Sequence, residues 1–95
     1  MKLKKEFILR NIAGQDVIVA TGSEAMRYNG LLTVNESGKF ILENYQNTDN
    51  VIDMIRLVCE EFEVDRDTAV ADVMNFNKAM LEHGFIEMDN PEKNW

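Results

Sequence analysis

The hydrophobic pattern of this chain changes period once, between Val34 and Asn35, and that change confines it to a small sheet roofed by helices. Upstream, Phe7-Ile8-Leu9-Arg10-Asn11-Ile12 and Val17-Ile18-Val19-Ala20 are short runs rich in β-branched residues, the composition of strands. Ala13-Gly14-Gln15-Asp16 stands between them, with Gly14 free to take a positive φ, so the two runs read as a hairpin with a loop of about four residues. A connection over 21–30 leads to a third short run, Leu31-Leu32-Thr33-Val34. Three strands with one apolar face are about the minimum for a stable sheet, and a helical layer must cover that face.

Downstream, the apolar positions fall at helical spacing. Asn35 is placed to cap the first helix with its side-chain oxygen, and Glu36 to sit in the positive first turn. Phe40, Ile41 and Tyr45 form the apolar stripe of that helix. Gly38 inside it costs about 1 kcal/mol relative to Ala, which points to close packing against a neighbouring element. A second helix is predicted from Thr48-Asp49, with Val51, Ile52, Ile55, Val58, Cys59 and Phe62 on its apolar face. Cys59 reads there as a small buried residue rather than a reactive thiol, since no histidine lies near it in sequence. A third helix is framed by Asp65 as N-cap, Asp67 in the first turn, His83 in the last turn and Gly84 just beyond. Two stripes run along it: Ala69, Val73, Phe76 and Met80, and beside them Val70, Met74, Asn77 and Leu81. In one reading both are buried, on the sheet and on the other helices; in the other, the second stripe lines a groove. Phe85-Ile86-Glu87-Met88 fits either packing on the core or a brief extended stretch. The single proline, Pro91, follows the last patterned segment, so residues 1–88 are expected to form one domain and residues 89–95 a flexible tail.

Lys and Arg number 10 against 17 Asp and Glu, a net charge of -7. That argues against nucleic acid as the main ligand, because the phosphate backbone would be repelled. The imbalance sits in the second half: residues 1–48 carry six basic and five acidic side chains, residues 49–95 four and twelve. This half reads first as a solvated helical surface and second as an attraction for a basic partner. With one cysteine, neither an intrachain disulfide nor a cysteine metal cluster can form. No apolar run approaches the roughly 20 residues needed to span a bilayer. The basic Met1–Phe7 opening has no apolar core of roughly 7–15 residues behind it, so a cytoplasmic location is expected. No catalytic constellation emerges. His83 has no Ser or Cys nucleophile near it in sequence, one histidine makes no zinc site, and Gly22, Gly30 and Gly38 precede no Lys-Ser/Thr pair of the kind a phosphate loop requires. The expectation is a non-enzymatic α+β domain without a cofactor, three N-terminal β-strands followed by three α-helices. The binding device left by this order is a sheet edge, whose unpaired N–H and C=O groups accept an extended peptide as an added strand.

Three blocks of the sequence resemble PqqD-like proteins, the peptide-modification chaperones also called RiPP recognition elements. They are Met1-Lys2-Leu3-Lys4-Lys5-Glu6-Phe7-Ile8-Leu9-Arg10, the run from Gly30 through Val34-Asn35-Glu36-Ser37-Gly38 to Ile41, and Val64–Phe76 followed by Leu81-Glu82-His83-Gly84-Phe85-Ile86. Their order and helix caps match over most of residues 1–87. A departure lies after Ile41, where members often carry an aromatic or leucine pair and this chain has Leu42-Glu43-Asn44. The resemblance implies a winged helix-turn-helix-like fold. It implies binding of the leader segment of a ribosomally made precursor peptide as a strand along Leu31, Leu32, Thr33 and Val34, with Val70, Met74, Asn77 and Leu81 as the groove wall. It also implies presentation of the core peptide to a tailoring enzyme, often a radical S-adenosylmethionine (radical SAM) protein. Two other readings stand beside it. One is a winged-helix DNA-binding regulator, although residues 65–83 set Arg66 and Lys78 against Asp65, Asp67, Asp72 and Glu82. The other is a module that pairs edge strands into a homodimer.

Overall fold

The computed structural model describes residues 1–22 and 32–88. Leu31 of the expected edge strand, most of the 21–30 connection and the 89–95 tail with Pro91 lie outside the described residues. In chain order the elements are β1 (Lys2–Leu3), β2 (Phe7–Ile12), β3 (Gln15–Ala20), β4 (Leu32–Val34), α1 (Glu36–Asn44), a 3-10 turn (Tyr45–Asn47), α2 (Val51–Phe62), α3 (Arg66–His83) and β5 (Ile86–Glu87). The chain is therefore α+β, with N-terminal strands feeding three helices.

β2, β3 and β4 form an antiparallel sheet in that spatial order. The hairpin is tighter than its polar tip suggests. Gln15 and Asp16 pair with Ile12 and Asn11, so the loop is Ala13 and Gly14 alone, at φ 52° and 82°. Two positive φ values in a two-residue loop give the type I′ turn, whose twist matches that of the flanking strands. The polarity of residues 15 and 16 does not lengthen the loop, because the ladder is made by backbone groups. At the open end of the hairpin, Thr21 donates its N–H and its hydroxyl to the Glu6 carbonyl at 2.7 and 3.0 Å.

One face of this sheet, with Phe7, Leu9, Ile18, Ala20, Leu32 and Val34, belongs to the core shared with the helices. Ile41, Tyr45, Met54, Val58, Ala69 and Val73 are buried against it. Each fully buried aliphatic or aromatic side chain contributes about 1.5–3 kcal/mol.

Asn35 caps α1, its Oδ1 accepting the Gly38 N–H at 2.8 Å. Gly38 is a close-approach site: an added Cβ would lie 2.8 Å from Cε1 of Phe76 on α3. Leu42-Glu43-Asn44 ends the helix. The Asn44 side-chain amide donates to the Phe40 carbonyl at 2.9 Å, and the Thr48 hydroxyl donates to the Asn44 carbonyl at 3.2 Å. With Thr48 so engaged, α2 begins later than expected, at the cap Asn50, whose Oδ1 accepts the Asp53 N–H at 2.9 Å. Its buried face is also rotated from the expected stripe: Ile52 is 57% exposed, while Met54 is fully buried. At about 100° per residue, Ile52 lies about 100° round the helix from the centre of the face made by Val51, Met54, Ile55, Val58 and Phe62. Phe62 meets Phe40 edge-on at 5.4 Å. Cys59 is half-buried, its Sγ 3.9 Å from the Asp65 carbonyl.

α3 has the ends its sequence announces. Asp65 accepts the Thr68 N–H at 2.8 Å. Hydrogen bonds from Thr68, side chain first and backbone second, hold the Asp65 carboxyl below the usual carboxylate range. Gly84, at φ 74°, donates to the Leu81 carbonyl at 3.1 Å, and Phe85 donates to the Met80 carbonyl at 3.0 Å. These are the paired bonds of a Schellman cap. The turn sends Phe85 and Ile86 into the core and lays β5 antiparallel to β1, Ile86 opposite Leu3 and Glu87 opposite Lys2. The Phe85–Met88 segment thus both packs on the core and forms an extended strand.

Candidate functional site

β4 ends the sheet order β2-β3-β4, so among the described residues no strand lies on its outer side. Its register fixes its two faces. Leu32, opposite Ile18, and Val34, opposite Asp16, lie on the core side, whereas Thr33, opposite Val17, is exposed. A chain laid along this edge would alternate in the same way, sending every second side chain toward the helices.

α3 runs beside this edge. Phe76, Ala79, Met80 and His83, at i, i+3, i+4 and i+7, share one face of the helix. With β4 and Asn35 they line a cleft of about 220 Å³. Several contacts hold this wall in place. Gly38 leaves just enough room for the Phe76 ring. The Met80 carbonyl is bound into the Schellman cap. The His83 ring stacks on Phe85 with centroids 5.6 Å apart and planes 25° from parallel. Asn35 is committed to the helix cap, its Oδ1 accepting from the Gly38 N–H and, at 3.0 Å, from the Ser37 hydroxyl. On the strand side, Lys39 ties α1 to β3 through Asp16 at 3.6 Å. The arrangement combines strand backbone groups with a largely apolar helix wall, which suits holding an extended chain.

The structure divides the site expected from sequence. Leu32, Thr33 and Val34 do line the cleft. Val70, Met74, Asn77 and Leu81 do not. At about 100° per residue, their stripe centres about 140° round α3 from the cleft face. Met74 and Leu81, 48% and 46% exposed, border a separate depression of about 280 Å³ with Met1, Lys78 and Glu82. Asn77 reaches the same depression but is buried, accepting a hydrogen bond from the Tyr45 hydroxyl. Burial pushes that hydroxyl's pKa well above the ordinary phenol value. Val70 is half-buried against the core. The wall beside β4 is instead the C-terminal half of the other stripe, Phe76 and Met80, extended by Ala79 and His83. The i, i+3, i+4, i+7 spacing of these four residues is visible in the sequence; what spacing alone does not give is which stripe turns toward β4. Among the described residues, no group of three or more His, Cys, Asp or Glu is placed to hold a metal ion.

The element order and the edge-plus-helix cleft define a small α+β domain of winged-helix-like order. The chain belongs to the PqqD family: the family model for coenzyme PQQ synthesis protein D (PqqD) matches residues 8–86, from β2 to β5. A solved structure of TbiB1 in complex with the TbiA(beta) leader peptide is similar in fold, with a TM-score of 0.69 and 17% sequence identity over 95% of this chain and 99% of that one. No curated protein matches the chain.

Proposed function

We propose that this domain binds the leader segment of a ribosomally made precursor peptide as an extra strand beside β4 and presents the rest of the precursor to a tailoring enzyme, a radical SAM protein in the favoured form of this reading. One observation carries it: a sheet edge and a largely apolar helix face line the same cleft. Membership of the PqqD family supports it, as does the fold shared with TbiB1, itself solved with a leader peptide.

Energetics assign the parts of the cleft different tasks. Added main-chain hydrogen bonds contribute about 0.5–1.5 kcal/mol each, and ordering the peptide offsets much of that. Backbone pairing is also blind to sequence. Selectivity therefore comes from one or two apolar leader side chains entering between Leu32 or Val34 and the Phe76–Met80 wall, at about 1.5–3 kcal/mol each when buried. Met80 suits this place because a flexible thioether adapts to different partners. In this reading the domain is not itself a catalyst, and the bond-making chemistry belongs to its partner. It works in the cytoplasm; no helix among the described residues is long and apolar enough to cross a membrane.

The test is a search of the neighbouring genes for a precursor peptide, then calorimetric titration with its leader and with a scrambled leader of equal composition. Saturable binding of the leader alone, one peptide per domain, is expected. Equal binding of both peptides, or of neither, would overturn the reading. Light scattering through the same titration addresses the homodimer: an edge-paired dimer that the leader cannot dissociate would count against β4 as the peptide's place.

A further inference from the structure

We infer that Thr33 is the main-chain anchor of the bound strand: one peptide residue, in a strand antiparallel to β4, exchanges both of its backbone hydrogen bonds with Thr33 and turns its own side chain away from the cleft. This rests on the peptide-binding reading above and adds the register in which the same cleft takes its ligand.

The assignment follows from parity along the sheet. In an antiparallel pair, residues that exchange both hydrogen bonds alternate with residues that exchange none. Ile12 and Gln15 close the two-residue turn of the hairpin, and such a closing pair is a hydrogen-bonded one. At the other end of the hairpin, the Thr21 N–H reaches the Glu6 carbonyl at 2.7 Å. Both observations turn the backbone groups of Gln15, Val17 and Val19 toward β2. Those of Asp16 and Ile18 therefore face β4, where their partners are Val34 and Leu32. Leu32 and Val34 thus use their N–H and C=O groups inside the sheet. Thr33, opposite Val17, turns both of its own outward. Thr33 is exposed, and among the described residues no strand meets it on that side.

The next outward-facing residue cannot offer the same. Asn35 is still extended, at φ -82° and ψ 179°, but its carbonyl accepts the Lys39 N–H at 2.9 Å as α1 begins. Of the described residues along this edge, Thr33 is therefore the one that presents a donor and an acceptor together.

The same parity places the ligand's side chains. The residue facing Thr33 carries its side chain on the Thr33 side of the sheet. Its two neighbours stand opposite Leu32 and Val34 and point toward Phe76 and Met80. These two are non-hydrogen-bonded pairs, in which facing side chains come closest, and the neighbours' own N–H groups point away from β4. Recognition is so divided: the middle residue is held by its main chain, the flanking residues by their side chains.

The probe is a short capped serine peptide with two leucines separated by one serine, titrated into nitrogen-15-labelled protein with affinity read from amide shifts. Replacing one peptide amide by an ester removes a single N–H. An ester at the serine between the leucines should weaken binding about 3–10-fold, and an ester at either leucine should change it by less than about twofold. Thr33→Pro removes the outward N–H and leaves the β3–β4 ladder intact, since an edge strand tolerates proline where its nitrogen faces outward. It should weaken the all-amide peptide about 3–10-fold with an unaltered circular dichroism spectrum. Thr33→Val, which keeps both backbone groups, should bind within about twofold of the native protein. The ester series uses the native protein, so it decides the matter even where Thr33→Pro fails to fold. A loss at a leucine ester in place of the serine ester would mean a parallel strand, in which Thr33 bonds two different residues. That result, equal effects of all three esters, or full affinity in a folded Thr33→Pro would overturn the inference while leaving peptide binding intact. An all-amide peptide that fails to bind would overturn both.

Discussion

Gly38 of α1 and Phe76 of α3 pack so closely that no methyl group fits between them; a Cβ at Gly38 would stand 2.8 Å from Cε1 of Phe76. Because Phe76 also lines the cleft beside β4, helix packing and the candidate binding surface are one problem at this point. In an unobstructed helix, replacing Gly by Ala stabilises by about 1 kcal/mol. Here Gly38→Ala should give no gain in thermal or urea unfolding and should weaken peptide binding, because the Phe76 ring must move. Gly38→Ala combined with Phe76→Leu should recover stability. A raised melting temperature with unchanged peptide affinity in Gly38→Ala would show that the ring yields freely.

Tyr45 and Asn77 supply a test that separates core from cleft. Tyr45→Phe leaves the buried Asn77 side chain without its donor and should cost about 1–3 kcal/mol in urea unfolding. Peptide affinity should hardly change, since Asn77 lies off the cleft face. A large loss of affinity at unchanged stability would return Asn77 to the groove wall expected from sequence.

The same tyrosine sets an alkaline limit. Burial raises its pKa in the folded state above the value of about 10 in the unfolded chain. The neutral form is thus favoured by folding, and its contribution is complete below about pH 10 and lost as pH rises further. Denaturation midpoints measured from about pH 8 to 11 should fall at the alkaline end, and Tyr45→Phe should flatten that fall.

The hairpin turn is improvable. Ala13 holds φ 52°, a left-handed conformation that suits Asn better than Ala. Ala13→Asn makes the favoured Asn-Gly turn and should stabilise the protein by about 0.5–1 kcal/mol, read as a higher melting temperature with no change in peptide binding.

The features legible in the sequence are those carried by local chemistry. Asn35, Asp65 and Gly84 cap helices wherever the chain puts them, and the β-branched runs pair as a hairpin. The Gly38 anomaly, too, announces the close approach that Phe76 makes. The features that escaped depend on partners distant in sequence. β1 and β5 are two residues each, too short to show a period, and they exist because each pairs with the other. Ile52 and Met54 are equally apolar, and the way α2 packs against its neighbours decides which is buried. For the same reason the sequence assigns the groove wall to the stripe with Met74 and Leu81, whereas Phe76 and Met80 stand beside β4. The rotation of α3 against β4 chooses between them, and that rotation is constrained by contacts such as Gly38–Phe76 and Tyr45–Asn77.

Two methionines report on that choice. The chain has six; Met80 lines the cleft beside β4, and Met74 borders the depression on another face of α3. With the methionine methyl groups carbon-13 labelled and the backbone nitrogen-15 labelled, titration with the leader peptide should shift the Met80 methyl and slow amide exchange along Leu32–Val34, leaving the Met74 methyl in place. A shifted Met74 methyl, with Met80 and the β4 amides unmoved, would mean that the peptide does not lie along this strand.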